Sequence, residues 1–156
     1  MKRFTALLLA AFLLLSLAAC GGSDGKTADP KTLADDMLAA LKAQGETMEV
    51  TGDTAENYYA MGDMVKDYRI YLSTMYIGEE VAVFRLAEGK KADDVKAMCQ
   101  QRIQDLKDSF DGYLPEEYAA VEENAVVLAS GDVVAMVTGT KEGVAAAKEV
   151  FEKALG

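Results

Sequence analysis

The sequence predicts an α+β fold: a single domain in which a four-stranded antiparallel sheet, built from two hairpins, carries helices packed on one face. Three observations lead there. Two pairs of β-branched and aromatic runs, 68–77 with 81–86 and 126–129 with 132–137, are each joined by a short glycine-containing loop, which fixes antiparallel pairing within each pair. Apolar residues at three- and four-residue steps mark helices before, between and after those pairs. One sheet with helices laid over it buries every apolar stripe at once. The order in which the two hairpins meet is left open.

The chain opens on Lys2 and Arg3, runs apolar from Ala6 to Leu17 and closes with Leu17-Ala18-Ala19-Cys20, the layout of a secretory leader rather than of a folded segment. That ending resembles the lipobox of bacterial lipoproteins, in which the cysteine thiol receives a diacylglycerol and the leader is cut just before it. The reading is therefore residues 1–19 as signal peptide, 20–30 as lipidated cysteine and flexible tether, and 31–156 as the α+β domain. The apolar run falls short of the ~20 residues a spanning helix needs, and two acyl chains hold a protein stably where one is marginal. The expectation is a chain anchored to the cell membrane through Cys20, on its extracytoplasmic face, without crossing it. Gly21-Gly22-Ser23-Asp24-Gly25 has no side chain able to build a core and reads as the start of the tether.

Asp29 is placed to cap a helix begun by Pro30, with Leu33, Met37, Leu38 and Leu41 as its apolar stripe up to Gly45. From Glu46 to Asp63 the pattern breaks at Gly52, Asp53 and Gly62, leaving room for a short strand or a helical turn near Tyr58-Tyr59. The first hairpin follows. A second helix over about Ala92 to Phe110 aligns Val95, Cys99, Ile103, Leu106 and Phe110 and ends at Gly112. Pro115 starts a third, with Glu116 and Glu117 in its first turn, where negative charge suits the helix dipole. The second hairpin turns at Ser130-Gly131, and Val144, Ala147, Phe151, Ala154 and Leu155 form the stripe of a closing helix.

Removing residues 1–19 from the 156 leaves 137, one domain's worth of chain. The formal charge of −10 becomes −12 when Lys2 and Arg3 leave with the leader. Such a surface repels phosphate backbones, so nucleic acid is not an expected partner, while cationic partners are suited. With no histidine in the chain, a Ser-His-Asp triad, a Cys-His pair and a His-ligated zinc site are all excluded within it. The 26 acidic residues make carboxylate pairs inevitable, so a pair alone carries no glycosidase reading. Asp105-Asp108-Asp111-Gly112 comes nearest to a calcium loop and departs from its order, and no glycine-rich phosphate loop is present. No metal and no cofactor are expected.

Met61 and Met64 offer two thioethers, the ligands Cu(I) favours, but methionine is also an adaptable core filler and packing is the favoured reading. Cys99 sits on the apolar stripe of the second helix. Once Cys20 carries lipid it has no disulfide partner, and it reads as a small buried hydrophobe. Seven tyrosines with no tryptophan fit either amphipathic core edges or a sugar- or peptide-binding face.

Glu79-Glu80-Val81-Ala82-Val83-Phe84, the helix carrying Arg102, Tyr113-Leu114-Pro115-Glu116-Glu117-Tyr118 and Glu123-Asn124-Ala125-Val126-Val127 resemble an uncharacterised domain of unknown function found in lipoproteins of Gram-positive (Firmicutes) bacteria. The resemblance covers about Tyr68 to Phe151. It implies a small envelope lipoprotein and transfers no activity, ligand or catalytic residue. Within it Glu80, Arg102, Tyr113 and Pro115 are the first places to look for a family role. Their structural readings are a solvated hairpin end, a carboxylate's partner and a helix start for Glu80, Arg102 and Pro115.

The expected function is a non-catalytic binding or interaction domain for an envelope protein or cell-wall component. Its candidate surface is Glu79, Glu80, Arg102, Tyr113, Pro115, Glu116 and Tyr118. A small-solute-binding lipoprotein is the alternative, with a carboxylate-dependent enzyme behind it.

Overall fold

The computed structural model describes residues 27–74 and 78–156. The leader, Cys20, most of the tether and the Tyr76-Ile77 end of the first hairpin lie outside the described residues. The elements run α1 Pro30–Leu41, β1 Thr47–Glu49, α2 Gly52–Tyr59, β2 Val65–Ser73, β3 Glu80–Leu86, α3 Ala92–Phe110, α4 Pro115–Asn124, β4 Val126–Ser130, β5 Val133–Thr138 and α5 Lys141–Leu155. No helix among the described residues is long and apolar enough to cross a membrane.

The sheet is α+β in character and antiparallel throughout, but it has five strands where four were expected, in the order β1-β2-β3-β5-β4. The extra strand is β1, which pairs Thr47, Met48 and Glu49 with Ser73, Leu72 and Tyr71. Three residues are too few to show a period, so it lay hidden in the segment that looked irregular. The two hairpins meet through β3 and β5, with Glu80 opposite Thr138 and Arg85 opposite Val133.

Helices cover both faces of this sheet, which corrects the one-faced expectation. Val81 and Val83 of β3, with Val133, Ala135 and Val137 of β5, pack against Leu33, Met37 and Leu41 of α1 and Val144, Ala147 and Phe151 of α5. Their alternate neighbours Ala82, Phe84, Val134 and Met136 pack against Ala55 and Tyr59 of α2 and Val95, Met98 and Cys99 of α3. The physical reason is in the strands themselves. Val81-Ala82-Val83-Phe84 and Val133-Val134-Ala135-Met136-Val137 are continuous apolar runs, the pattern of strands buried on both sides rather than the alternation of a half-solvated one. A small third cluster, Leu106, Phe110 and Val121, ties α4 to the end of α3.

The local signals for the helices act as expected. The Asp29 carboxylate accepts from Thr32 N at 3.0 Å, capping α1 ahead of Pro30. Thr140 Oγ1 accepts from Gly143 N at 3.2 Å and caps α5. The fold begins earlier than the tether boundary at residue 30: besides the Asp29 cap, the Ala28 carbonyl accepts from Arg85 Nη2 at 2.7 Å. Cys99 is buried, as its register requires. Met61 is buried in the α2–α3 core and Met64 packs against it, so Met61 acts as packing.

Candidate functional site

Side chains alternate along a strand, so Glu80, at the start of β3, points to the same face as Ala82 and Phe84, toward α2 and α3. Arg102 meets it there. On α3 it stands seven residues after Val95 and four before Leu106, on the buried stripe itself. Tyr59, the last residue of α2 and four after the buried Ala55, supplies the third side chain. Glu80 is 1% exposed and Arg102 8%.

The Glu80 carboxylate accepts from Arg102 Nη2 at 2.8 Å, from Arg102 Nε at 3.2 and 3.3 Å, and from the Tyr59 hydroxyl. The guanidinium also lies over the Tyr58 ring, whose centroid is 4.4 Å from Cζ. The Tyr59 ring is 5.0 Å from Phe84, and its hydroxyl is 3.7 Å from Met136 Sδ. Burial followed by the nearby Glu80 charge holds the Tyr59 phenol well above its usual range. The same two causes push the Cys99 thiol up to about 12. Burial works against the charge on Arg102, but the Glu80 carboxylate and its hydrogen bonds outweigh that, and the net shift is upward. Chemically this is a clamp: donors converge on both oxygens of Glu80, leaving it poorly placed to take a proton from a substrate.

Glu79 points the other way. Its Oε2 accepts from Gln44 N at 2.9 Å, and both residues line a cavity of about 280 Å³ together with Glu116 and Glu117 of α4 and with Gly78, Gly139 and Thr140. Glu79 is 7% exposed and has no cation partner among the described residues. That is unusual, since buried charges are ordinarily paired. The walls are fixed by Thr138 Oγ1 donating to Gly78 O and by Asn124 Nδ2 donating to Gly139 O at 3.3 Å.

Of the residues singled out from sequence, the fold thus makes two separate groups. Glu80 and Arg102 form a buried pair, and Glu79 and Glu116 share a cavity. Glu79, Glu80 and Arg102 are therefore not an exposed surface, because Gln44 after α1 covers Glu79 while α2 and α3 cover the start of β3. Pro115 opens α4 at the surface, and Tyr113 is 79% exposed and joins neither group. Tyr118 packs under Lys107, whose Nζ lies 5.4 Å from its ring centroid. Tyr59, Gln44, Glu117 and Thr140 were missed as site residues. Arg102 carried a readable signal, a charge on an apolar stripe; Gln44 carried none. Among the described residues no three acidic or cysteine side chains are grouped so as to hold a metal ion.

A family model described as Domain of unknown function (DUF4358) matches residues 39–139, more than half of the 156 residues. The match begins earlier than the resemblance seen in the sequence and stops before α5. It includes Tyr59, Glu79, Glu80, Arg102, Glu116 and Glu117. No curated protein and no solved structure matches the chain.

Proposed function

We propose, from the premise that the chain belongs to the family described as Domain of unknown function (DUF4358), that it is a lipid-anchored binding domain on the outer face of the cell membrane that engages a cationic group of an envelope partner. The observation that carries the reading is Glu79, nine-tenths buried and without a cation partner among the described residues, lining the same cavity as Glu116 and Glu117. An ammonium or guanidinium group entering there supplies the missing counter-charge. At about 280 Å³ the space has room for a lysine or arginine side chain. The lipobox ending at Cys20 and the resemblance to lipoproteins of Gram-positive bacteria support the location, and the absence of histidine supports binding over catalysis.

The test is crosslinking and affinity capture of the lipidated protein from intact envelopes. Because Glu79 is buried, its fitting substitution is Glu79→Gln, while Glu116→Lys with Glu117→Lys reverses the rim. Both variants are expected to lose the captured partner at an unchanged unfolding midpoint. Capture indifferent to both rejects the cavity. Turnover of envelope glycans or peptides by the purified protein, lost on a single carboxylate-to-amide change, rejects the non-catalytic reading.

A further inference from the structure

β1 is an edge strand whose outer side has no partner among the described residues. Glu46 O accepts from Thr74 N at 2.7 Å and Val50 N donates to Ile70 O at 3.0 Å, so the even-numbered residues turn their backbone groups toward β2. By the alternation of an antiparallel ladder, Thr47 and Glu49 turn theirs outward. Thr47-Met48-Glu49 carries no lysine, proline or bulge; its three-residue length and the Glu49 charge are what guard this edge.

Met48 shares a face with Leu72 and is 48% exposed, one of two large hydrophobic side chains so exposed among the described residues. It opens on a groove of about 480 Å³ between the sheet and α3, lined by Leu72, Leu106, Ser109, Tyr58 and Arg102. Arg102 brings little free charge to it, being paired with Glu80. The α3 wall contributes one carboxylate, Asp105, which accepts from Gln101 Nε2 at 2.8 Å and also lines, with Asp94, a second groove beyond Tyr58.

We infer that the β1 edge and this groove receive an extended, basic segment of a partner polypeptide. The segment pairs its backbone with Thr47 and Glu49, sends an apolar side chain in beside Met48 and Leu106, and sets a lysine or arginine against Asp105. Charge decides the occupant. Glu49 is paired with Arg69, but a second copy of this chain would bring a formal charge of −10 to the same edge, whereas a basic strand is attracted to it. The site is distinct from the Glu79 cavity and does not rest on it.

The full chain, in detergent and immobilised, is panned with a phage-displayed library of random dodecapeptides. Enriched peptides are expected to carry apolar residues at alternate positions beside lysine or arginine. Synthetic copies should bind about tenfold or more weakly to Thr47→Pro, which deletes an outward N–H, and to Ser109→Trp, which fills the groove. On the wild-type chain, N-methylation of the peptide should weaken binding only at alternate amides, a readout that needs no variant to fold. Enriched peptides without the alternation, binding indifferent to both substitutions, or equal loss at every methylated amide overturns the inference. So does a dimer of the chain that Thr47→Pro dissolves, since the edge would then serve self-association.

Discussion

Arg102 reaches across from α3 to hold Glu80 of β3 at 2.8 Å, in a layer that is otherwise aliphatic and aromatic. Taking both charges out of water is costly, and their attraction offsets that cost only while the pair is intact. Arg102→Leu is expected to destabilise the fold by about 3–5 kcal/mol, because it strands the carboxylate. Glu80→Leu combined with Arg102→Leu should recover most of that loss. Tyr59→Phe removes one donor from a charged acceptor and should cost about 1.5–3 kcal/mol. Urea unfolding of the three variants measures each value, and a double variant as unstable as Arg102→Leu contradicts this account.

Alkaline pH should weaken the fold. The native Cys99 thiol keeps its proton to about 12, whereas in the unfolded chain it titrates near its ordinary 9.0. Between those values the unfolded state binds fewer protons, so unfolding becomes more favourable as pH rises, by up to about 1.4 kcal/mol per pH unit. Tyr59, raised well above 10.0, adds to the decline in the same direction. Cys99→Ala should flatten the stability profile above pH 9.0, read from urea midpoints across the range. A water-soluble alkylating reagent should label Cys99 in the unfolded protein and spare it in the native one.

Gly143→Ala is expected to destabilise despite improving helix propensity. A methyl group at that position overlaps the Leu41 carbonyl oxygen and stands 3.0 Å from Leu41 Cδ1, so α1 and α5 must separate. Overpacking of this kind costs about 1–3 kcal/mol, and the backbone oxygen has no rotamer to escape into. Thermal unfolding is the check; a raised midpoint shows that the two helices slide without cost.

Wild-type protein should incorporate labelled palmitate and partition into detergent, and Cys20→Ala should do neither. Membrane retention of the variant equal to wild type, without acylation, rejects the anchor.

Four of the five helices among the described residues were legible: Val95 to Phe110 repeats the apolar step over most of α3, and Asp29-Pro30 writes a start signal directly into the chain, whereas the eight-residue α2 lies in the segment that reads as a short strand or a helical turn. The second hairpin was legible from its two apolar runs, but its turn is Gly131-Asp132, one residue later than the expected Ser130-Gly131, and Ser130 pairs with Val133. The two-sided burial of β3 and β5 is also written in their unbroken apolar runs, but antiparallel hairpins invite a one-sided reading. β1 was beyond reach, being shorter than any period. For the site, sequence singled out Glu80 and Arg102 but not the bond between them, since no local rule brings a strand's first residue to the middle of a helix that follows it. The Glu79–Glu116 cavity depends on the loop after α1 meeting the start of α4, a long-range coincidence without a local signature.

The β3–β5 ladder joins segments separated by all of α3, α4 and β4. Closing so long a stretch of chain is entropically uphill until the pairing is made, which slows assembly of the domain. It also links the two halves. Val83 and Ala135 serve the α1–α5 layer while Phe84 and Val134 serve the α2–α3 layer, one residue along the same two strands. Neither layer has a floor until the other has a roof, and far-ultraviolet and aromatic signals should disappear in one coincident transition on unfolding.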